Sequence, residues 1–199
     1  MTAPTRQRLT ESASKRFYRD GFRNVGIDQV LADVGISKTA FYKHFESKDD
    51  LILAVLEMQN AAFQAMLRQV SDIRGGTEPV AQLRGLFDVV EQVIASDDFQ
   101  GCIFVNVAME FPLAHEPAHR AAADHKQAIE AIVRELAAQA GADNPSAMAQ
   151  ELCLVMEGAY VTRQVTKNPA AIAIARRVAD AVIASRLPAT AAVSGVGST

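Results

Sequence analysis

A short segment near the N-terminus is rich in side chains that donate hydrogen bonds. It runs from residue 37 to residue 48 and contains two Ser, one Thr, one Tyr, one His and three Lys. Hydroxyl, imidazole and ammonium groups of this kind bind phosphates and the edges of nucleic-acid bases. The chemistry that this segment predicts is therefore noncovalent recognition of a nucleic acid.

Covalent chemistry has no comparable signature in the chain. The sequence contains no Gly-rich phosphate loop, no HExxH and no evident trio of nucleophile, base and orienting group. We predict that the protein is not an enzyme and needs no cofactor, with an all-α enzyme as the alternative. A metal site is an alternative for three histidines with one acid or thiol, namely His115, His119 and His125 with Glu110 or Cys102. Because Pro117 interrupts the helical spacing of the first two histidines, we predict no metal.

The distribution of charge favours a polyanionic partner for the N-terminal part alone. Residues 1–48 hold nine Lys or Arg against five Asp or Glu, whereas the rest of the chain holds eleven against eighteen. Neutralising phosphates provides sequence-independent affinity for DNA. The basic end is therefore expected to meet DNA and the acidic remainder is not.

The elements that position the donors are short helices. Apolar residues recur at three and four positions and strand signals are nearly absent, so we predict an all-α fold. Helices are expected over Ala3–Asp20 and Ile27–Val34, and Gly35 allows a tight turn. A third helix is capped by Ser37 and reaches about His44, and a long fourth helix begins at Lys48. A short helix, a Gly turn and a second short helix predict a DNA-reading helix-turn-helix.

The second helix of this motif is expected to carry the DNA contacts. Its first turn can reach base edges in the major groove, and its far end and the start of the fourth helix can reach phosphates. The predicted DNA-binding residues are Ser37, Lys38, Thr39, Ala40, Tyr42, Lys43, His44 and Lys48. Two interpretations stay open for Arg6 and Arg8, which could form a minor-groove arm or a solvated tail.

The same residues resemble a known family of bacterial regulators. The matching features are Phe17 with the Asp20-Gly21-Phe22 corner, the Val34-Gly35-Ile36-Ser37 turn, the run Phe41-Tyr42-Lys43-His44-Phe45, and Ser47, Lys48 and Leu51. This pattern resembles the DNA-binding domain of the TetR/AcrR family. One departure is Gly26, where the family often has a Thr or Ser that caps the second helix and contacts a phosphate.

The resemblance implies a homodimeric transcriptional regulator. By default it is a repressor that a small molecule releases from a palindromic operator, although an activator and a DNA-binding dimer without an effector remain alternatives. The implied organisation is a DNA-binding domain at residues 1–48 and an effector-binding and dimerisation domain at 49–187. About nine helices are expected in total, and the small, polar tail at 188–199 is expected to be disordered.

The effector site is predicted from residue chemistry. Large, adaptable apolar side chains line pockets for apolar ligands, and polar groups on an apolar helix need partners. Cys102, Asn106 and Glu110 share one helix face, and their partners could be a ligand or neighbouring side chains such as His125 or Tyr160. The candidate effector residues are Phe63, Met66, Phe87, Cys102, Phe104, Asn106, Met109, Glu110, Met156 and Tyr160.

The resemblance also implies that the last two helices form a four-helix bundle with those of a second copy. The apolar stripes on these helices suit that role, although burial within one protomer would give the same pattern. The predicted dimer-interface residues are Leu152, Val155, Met156, Ala159, Ile172, Ala175, Val178, Ala179 and Val182.

The expected location is the cytoplasm. The N-terminus lacks the apolar core of a secretory signal, no apolar run approaches the length of a membrane span, and Cys102 and Cys153 show no disulfide or zinc pattern. The predicted partners are double-stranded operator DNA, a second copy of the chain and a small-molecule effector, and no membrane.

Overall fold

A computed structural model describes residues 3–96 and 98–188, and within these ranges all regular structure is α-helical. The helices are α1 (Thr5–Asp20), α2 (Ile27–Val34), α3 (Lys38–Phe41), α4 (Lys48–Gly75), α5 (Pro79–Ile94), α6 (Ile103–Glu110), α7 (Pro117–Gln139), α8 (Pro145–Thr166) and α9 (Ala171–Arg186). The all-α prediction with about nine helices is confirmed. The tail expected to be disordered lies outside the described residues, apart from Pro188.

Two helices are shorter than the apolar pattern suggested. Helix α3 ends at Phe41 instead of near His44, because the next turn tightens and the His44 N–H donates to the Phe41 carbonyl at 2.8 Å. Helix α6 ends at Glu110 and not near Leu113, since Phe111 precedes Pro112 and a residue before proline avoids the helical conformation.

The helices belong to two compact units. The first comprises the chain through Phe63 together with Cys102–His125. Its core contains Leu9 and Phe17 of α1 and Val30 of α2, and it also takes in Phe104 and Val107 of α6. The helix-turn-helix therefore shares a core with three other elements, namely the first half of α4, the whole of α6 and the start of α7. This unit extends beyond the boundary expected at residue 48.

The second unit comprises Gln64–Gly101 and the chain from Lys126 onward. Helices α5, α8 and α9 pack against one another there. Pro79 and Pro145 occupy the first turns of α5 and α8, where a missing N–H costs no helical hydrogen bond. Arg176 of α9 donates to Asp88 at 2.5 Å and to Glu91 at 2.6 Å, which ties α9 to α5.

None of the described helices is long and apolar enough to cross a membrane. In the same part of the chain, no three His, Cys, Asp or Glu side chains are grouped so that they could hold a metal ion. His119 instead lies with its Nδ1 2.8 Å from the Phe111 carbonyl oxygen.

Candidate nucleic-acid interface

The turn between α2 and α3 is built as the sequence predicts. Gly35 adopts a left-handed conformation, φ 71° and ψ 41°, and its N–H donates to the Leu31 carbonyl at 2.8 Å. Ser37 then caps α3, because its hydroxyl oxygen accepts from the Ala40 N–H at 3.2 Å. The chain therefore leaves α2 and enters α3 within three residues.

Most of the predicted DNA-contact residues are exposed together on this short segment. Ser37, Lys38, Thr39, Tyr42, Lys43 and His44 are exposed, whereas Ala40 and Lys48 are half-buried. Beneath them, Phe41 and Phe45 are buried in the core of the first unit, and the Phe41 and Tyr42 rings meet edge to face at 5.2 Å. The buried rings anchor the segment in the core, and the polar side chains remain accessible.

Lys38 has a partner that sequence reasoning missed. Its Nζ lies 2.9 Å from Asp28 Oδ1 in the first turn of α2, and both side chains are well exposed. The hydrogen bond to Asp28 is the main reason that the pKa of Lys38 is raised. An exposed pair of this kind is weak. The ammonium group therefore stays charged and can leave Asp28 for a base or a phosphate.

Lys48 points toward the α1–α2 corner. Its Nζ donates to the Arg23 carbonyl oxygen at 3.2 Å and lies 6.0 Å from the centre of the Phe17 ring. Burial is the main cause that lowers the pKa of Lys48. This lysine therefore joins the start of α4 to the corner, and its expected phosphate contact stays a prediction.

Three basic residues of α1 also contact the motif. The Arg6 guanidinium lies 4.8 Å from the centre of the Phe45 ring, and Arg8 Nη2 donates to the Val34 carbonyl at 2.7 Å. Arg16 forms a bidentate ion pair with Asp33, in which Arg16 Nη2 lies 2.6 Å from Asp33 Oδ1. Arg6 and Arg8 thus both contact the helix-turn-helix.

Gly26, the departure from the family pattern, still begins α2. The Gln29 side-chain oxygen accepts from the Gly26 N–H at 2.9 Å, and the Gln29 N–H donates to the Gly26 carbonyl at 3.2 Å. Gln29 thereby satisfies one terminal backbone group. The hydroxyl that a Ser or Thr would offer to a phosphate is absent from position 26.

Two family descriptions match the chain over separate ranges. Residues 9–55 match the bacterial regulatory proteins of the TetR family, and residues 79–179 match the tetracycline repressor-like C-terminal domain. The chain belongs to the TetR family. This confirms the resemblance inferred from the helix-turn-helix, and it extends that resemblance to the second half of the chain.

Individual TetR-family proteins are similar over nearly the whole chain. A TetR-family transcriptional regulator from Streptomyces coelicolor is 29% identical with a TM-score of 0.86, covering 92% of this chain and 96% of that one. A TetR-type regulator from Streptomyces avermitilis is 31% identical with a TM-score of 0.78, covering 90% and 98%. Both structures share the helical architecture described above.

A curated relative matches over a shorter stretch. The transcriptional regulator AcuR of Cereibacter sphaeroides is 30% identical over 105 residues, which cover 52% of this chain and 48% of that protein. The match thus spans about half the length of that relative. TetR-family members are DNA-binding transcriptional regulators, typically repressors with a ligand-binding C-terminal domain, and they form homodimers.

In the first unit, the structure groups some of the effector candidates around His125. The Phe104 and His125 rings stack at 3.6 Å with an interplanar angle of 8°, and Phe63 meets His125 edge to face at 5.5 Å. The His125 Nδ1 lies 2.7 Å from the Asn60 side-chain oxygen. Phe63 and Phe104 therefore both contact a buried imidazole, and their assignment to the effector site stays a prediction.

Other candidates on α6 have different surroundings. Cys102 and Asn106 are half-buried, whereas Met109 is 77% exposed and so does not line an enclosed site of this unit. The Glu110 carboxylate accepts hydrogen bonds from two backbone N–H groups of the α1–α2 corner. Those bonds give Glu110 partners other than a ligand, and its assignment to the effector site stays a prediction.

The remaining effector candidates lie in the second unit. Phe87, Met156 and Tyr160 are buried there and Met66 is half-buried. The Tyr160 ring lies 6.0 Å from the Phe99 ring. Their position in this core is compatible with an effector site in the TetR-type C-terminal domain, and the assignment stays a prediction.

Most of the expected dimer residues are buried within one protomer. Leu152, Met156, Ala159, Ala175 and Ala179 are each at most 5% exposed. Val155, Ile172 and Val182 are half-buried, and Val178 is 43% exposed. These five side chains are therefore already removed from water within one protomer, and their assignment to the interface stays a prediction.

A further set of large apolar side chains on these two helices is exposed. We call this set the α8–α9 apolar face, and it consists of Leu154, Val161, Val165, Ile174 and Val178. The spacings of seven and four residues on α8, and of four on α9, place each group on one side of its helix. Of these five residues, the sequence-based interface prediction included only Val178, because α8 is apolar on two sides.

Proposed function

We propose that this chain is a cytoplasmic homodimeric repressor that binds a palindromic operator and is released by a small molecule. The observation that carries the proposal is the exposed polar side of residues 37–44, held on a Gly35 turn and a Ser37 cap. Such a helix fits the major groove, where donors at its start reach base edges. In a dimer two such helices would lie roughly 34 to 36 Å apart, one turn of DNA.

The α8–α9 apolar face supports the homodimer. Five large apolar side chains exposed on two adjacent helices favour burial against a partner, since contact with water is unfavourable for them. A second copy brings an identical face, and a two-fold axis would pair the two faces in a helical bundle.

The DNA-binding part of the proposal is tested with the duplex that flanks the protein's own gene. Fluorescence anisotropy is recorded over a salt series for the wild type, Tyr42→Phe and Lys43→Ala, with Arg134→Ala of α7 as a charge-matched control. We expect saturable, sequence-selective binding, weakened by both substitutions and unchanged in the control. Lys43→Ala should lower the salt slope by about 1, as expected for one lost phosphate contact.

The opposite outcome is equally clear. Weak binding that is equal for random and flanking DNA, and indifferent to both substitutions, would show that the motif is not a specific reader in this chain. Release by a small molecule is tested on the same complex with an ultrafiltered extract of the source bacterium. A complex that survives every fraction of the extract would favour the DNA-binding dimer without an effector.

A further inference from the structure

Helix α6 ends directly against the corner between α1 and α2. Glu110, its last residue, accepts from two consecutive backbone N–H groups, from Phe22 to Oε1 at 2.9 Å and from Arg23 to Oε2 at 2.7 Å. Hydrogen bonds to an ionised carboxylate are roughly twice as strong as neutral ones. One carboxylate thus holds a pair of adjacent peptide groups that lie more than eighty residues away in the chain.

The side chain of Arg23 makes three contacts at and just beyond the same end of α6. Its Nε donates to the Glu110 carbonyl at 2.6 Å, its guanidinium carbon lies 4.6 Å from the centre of the Phe111 ring, and its Nη2 lies 3.5 Å from Glu116 Oε1. A cation at the carbonyl end of a helix is favourable. We call the contacts that join Glu110 to Phe22 and Arg23 the corner clamp.

The backbone of the corner is shaped for this close approach. Gly21 has φ +88°, a conformation that other residues rarely adopt, and a Cβ at this position would lie 3.3 Å from Glu110 Oε1. From the other side, Lys48 of α4 donates to the Arg23 carbonyl. The corner is therefore held between the end of α6 and the start of α4.

The corner leads straight into the helix-turn-helix. Helix α2 begins at Ile27, four residues after Arg23, and packs against α3. At the other end of the clamp, α6 begins next to the effector candidate Cys102 and packs Phe104 and Val107 into the same core as α1 and α2. A helix of eight residues that moves as a body must carry the corner with it or break the clamp.

We propose that Glu110 is a positioning residue that ties the orientation of the helix-turn-helix to the position of α6, an inference that rests on the proposed function. Effector binding beside α6 and DNA binding by α3 are then coupled through the clamp. Because such coupling is reciprocal, DNA binding stabilises the position of α6 that favours DNA binding, and it does so by the same coupling free energy. This reciprocity allows a test without knowledge of the effector.

The test is hydrogen exchange of the full chain, measured by mass spectrometry with and without a saturating amount of the flanking duplex. In the wild type, DNA slows exchange in residues 35–47 and also, by at least about fivefold, in residues 103–110. Glu110→Gln keeps the size of the side chain but loses its charge and one acceptor. In this variant the response of residues 35–47 persists, and the response of residues 103–110 falls below about twofold.

Two further variants keep the proposal falsifiable. Arg23→Met removes an exposed side chain and leaves the backbone donors to Glu110, so the α6 response should be intermediate even if Glu110→Gln does not fold. Glu135→Gln, an exposed acid of α7, should behave as the wild type. An α6 response that is unchanged in Glu110→Gln and Arg23→Met, or absent from DNA-saturated wild type, overturns the proposal. Absence of saturable DNA binding by the wild type contradicts the proposed function itself.

Discussion

The recognition segment at residues 37–44 and helix α8 present their exposed faces in opposite ways. The recognition segment exposes hydroxyl, imidazole and ammonium groups over a buried pair of Phe rings. Helix α8 has apolar side chains on two sides, so that Leu152 is fully buried while Leu154, two positions on, is 73% exposed. A polar face is stable in water by itself, whereas an apolar face is not.

This difference predicts which surface holds the two copies of the chain together. Water can satisfy the recognition segment until DNA replaces it, so that surface can stay open in the free protein. The α8–α9 apolar face has no such substitute, and we infer that a second copy covers it permanently. A reversible DNA surface and a permanent dimer surface would then follow from the chemistry of the exposed side chains alone.

The largest expected effect comes from a charge placed on the α8–α9 apolar face. Leu154→Glu would bury two carboxylates in each symmetric dimer, each at a cost of a few kcal/mol. We expect the dimer dissociation constant to rise by roughly a thousandfold or more. Analytical ultracentrifugation over a concentration series measures this change.

An exposed leucine outside that face provides the matched control. Leu113 follows α6 and is 54% exposed, so Leu113→Glu adds the same charge to the first unit. Its dimer dissociation constant should equal that of the wild type. Dimers of unchanged stability in Leu154→Glu would show that another surface joins the two copies.

The next largest effect is expected on the alkylation rate of Cys153. This residue lies between the buried and the exposed side of α8. Burial raises the pKa of its thiol to about 12, with Glu130 and Glu157 adding to the rise. Since the thiolate is the reactive form, alkylation by iodoacetamide at pH 8 should be at least about a hundredfold slower than for the same thiol in urea. The Cys102→Ser background isolates the signal.

The same measurement separates protomer packing from dimer burial. The neighbouring charges and the burial of Cys153 are present in one protomer, so the slow reaction should persist in monomeric Leu154→Glu. Fast alkylation in that monomer would mean that the second copy, and not the protomer, covers this side of α8.

A smaller effect, on DNA affinity, is expected from a substitution in the polar recognition segment. Lys38→Ala removes a donor from the first turn of α3, and a lost base contact costs about 1 to 3 kcal/mol of discrimination at one base pair. We expect affinity for the flanking duplex to fall roughly tenfold to a hundredfold, with little change for random DNA. Lys15→Ala, an exposed lysine of α1, is the control. Equal losses on both duplexes would assign Lys38 to a phosphate.

The recognition segment could be predicted from sequence because its signals are local. Gly35 is followed two residues later by the capping Ser37, and the Phe41 and Phe45 pair fixes which side chains face outward. Each of these residues acts within a few positions of the next. The structure of the recognition segment can therefore be predicted without any knowledge of distant contacts.

The corner clamp and the orientation of α8 could not be predicted in this way. Glu110 and Arg23 are far apart in the chain, and an acid on an apolar helix suggests a ligand as readily as a backbone partner. On α8, Leu152 and Leu154 have the same side chain, so periodicity cannot decide which of them the protomer covers. Tertiary packing decides both questions.

The smallest expected effect is on the urea midpoint of unfolding as the pH falls. It concerns two ion pairs, one in each unit. A hydrogen bond from Arg16 is the main cause that lowers the pKa of Asp33, and one from Arg186 does the same for the pKa of Glu151. A carboxyl whose pKa is lower in the folded chain stabilises it above the unfolded pKa of about 4. That contribution is lost as the pH falls through the folded pKa.

Asp33→Asn and Glu151→Gln should therefore lower the urea midpoint at pH 7, and the difference from the wild type should shrink below about pH 4 in both variants. The effect is small because both pairs are accessible to solvent. Glu11→Gln, an exposed acid of α1, should shift the midpoint less at pH 7. A deficit that widens on acidification would mean that these carboxyls stabilise the protein in their protonated form, which contradicts a stabilising role for the two ion pairs.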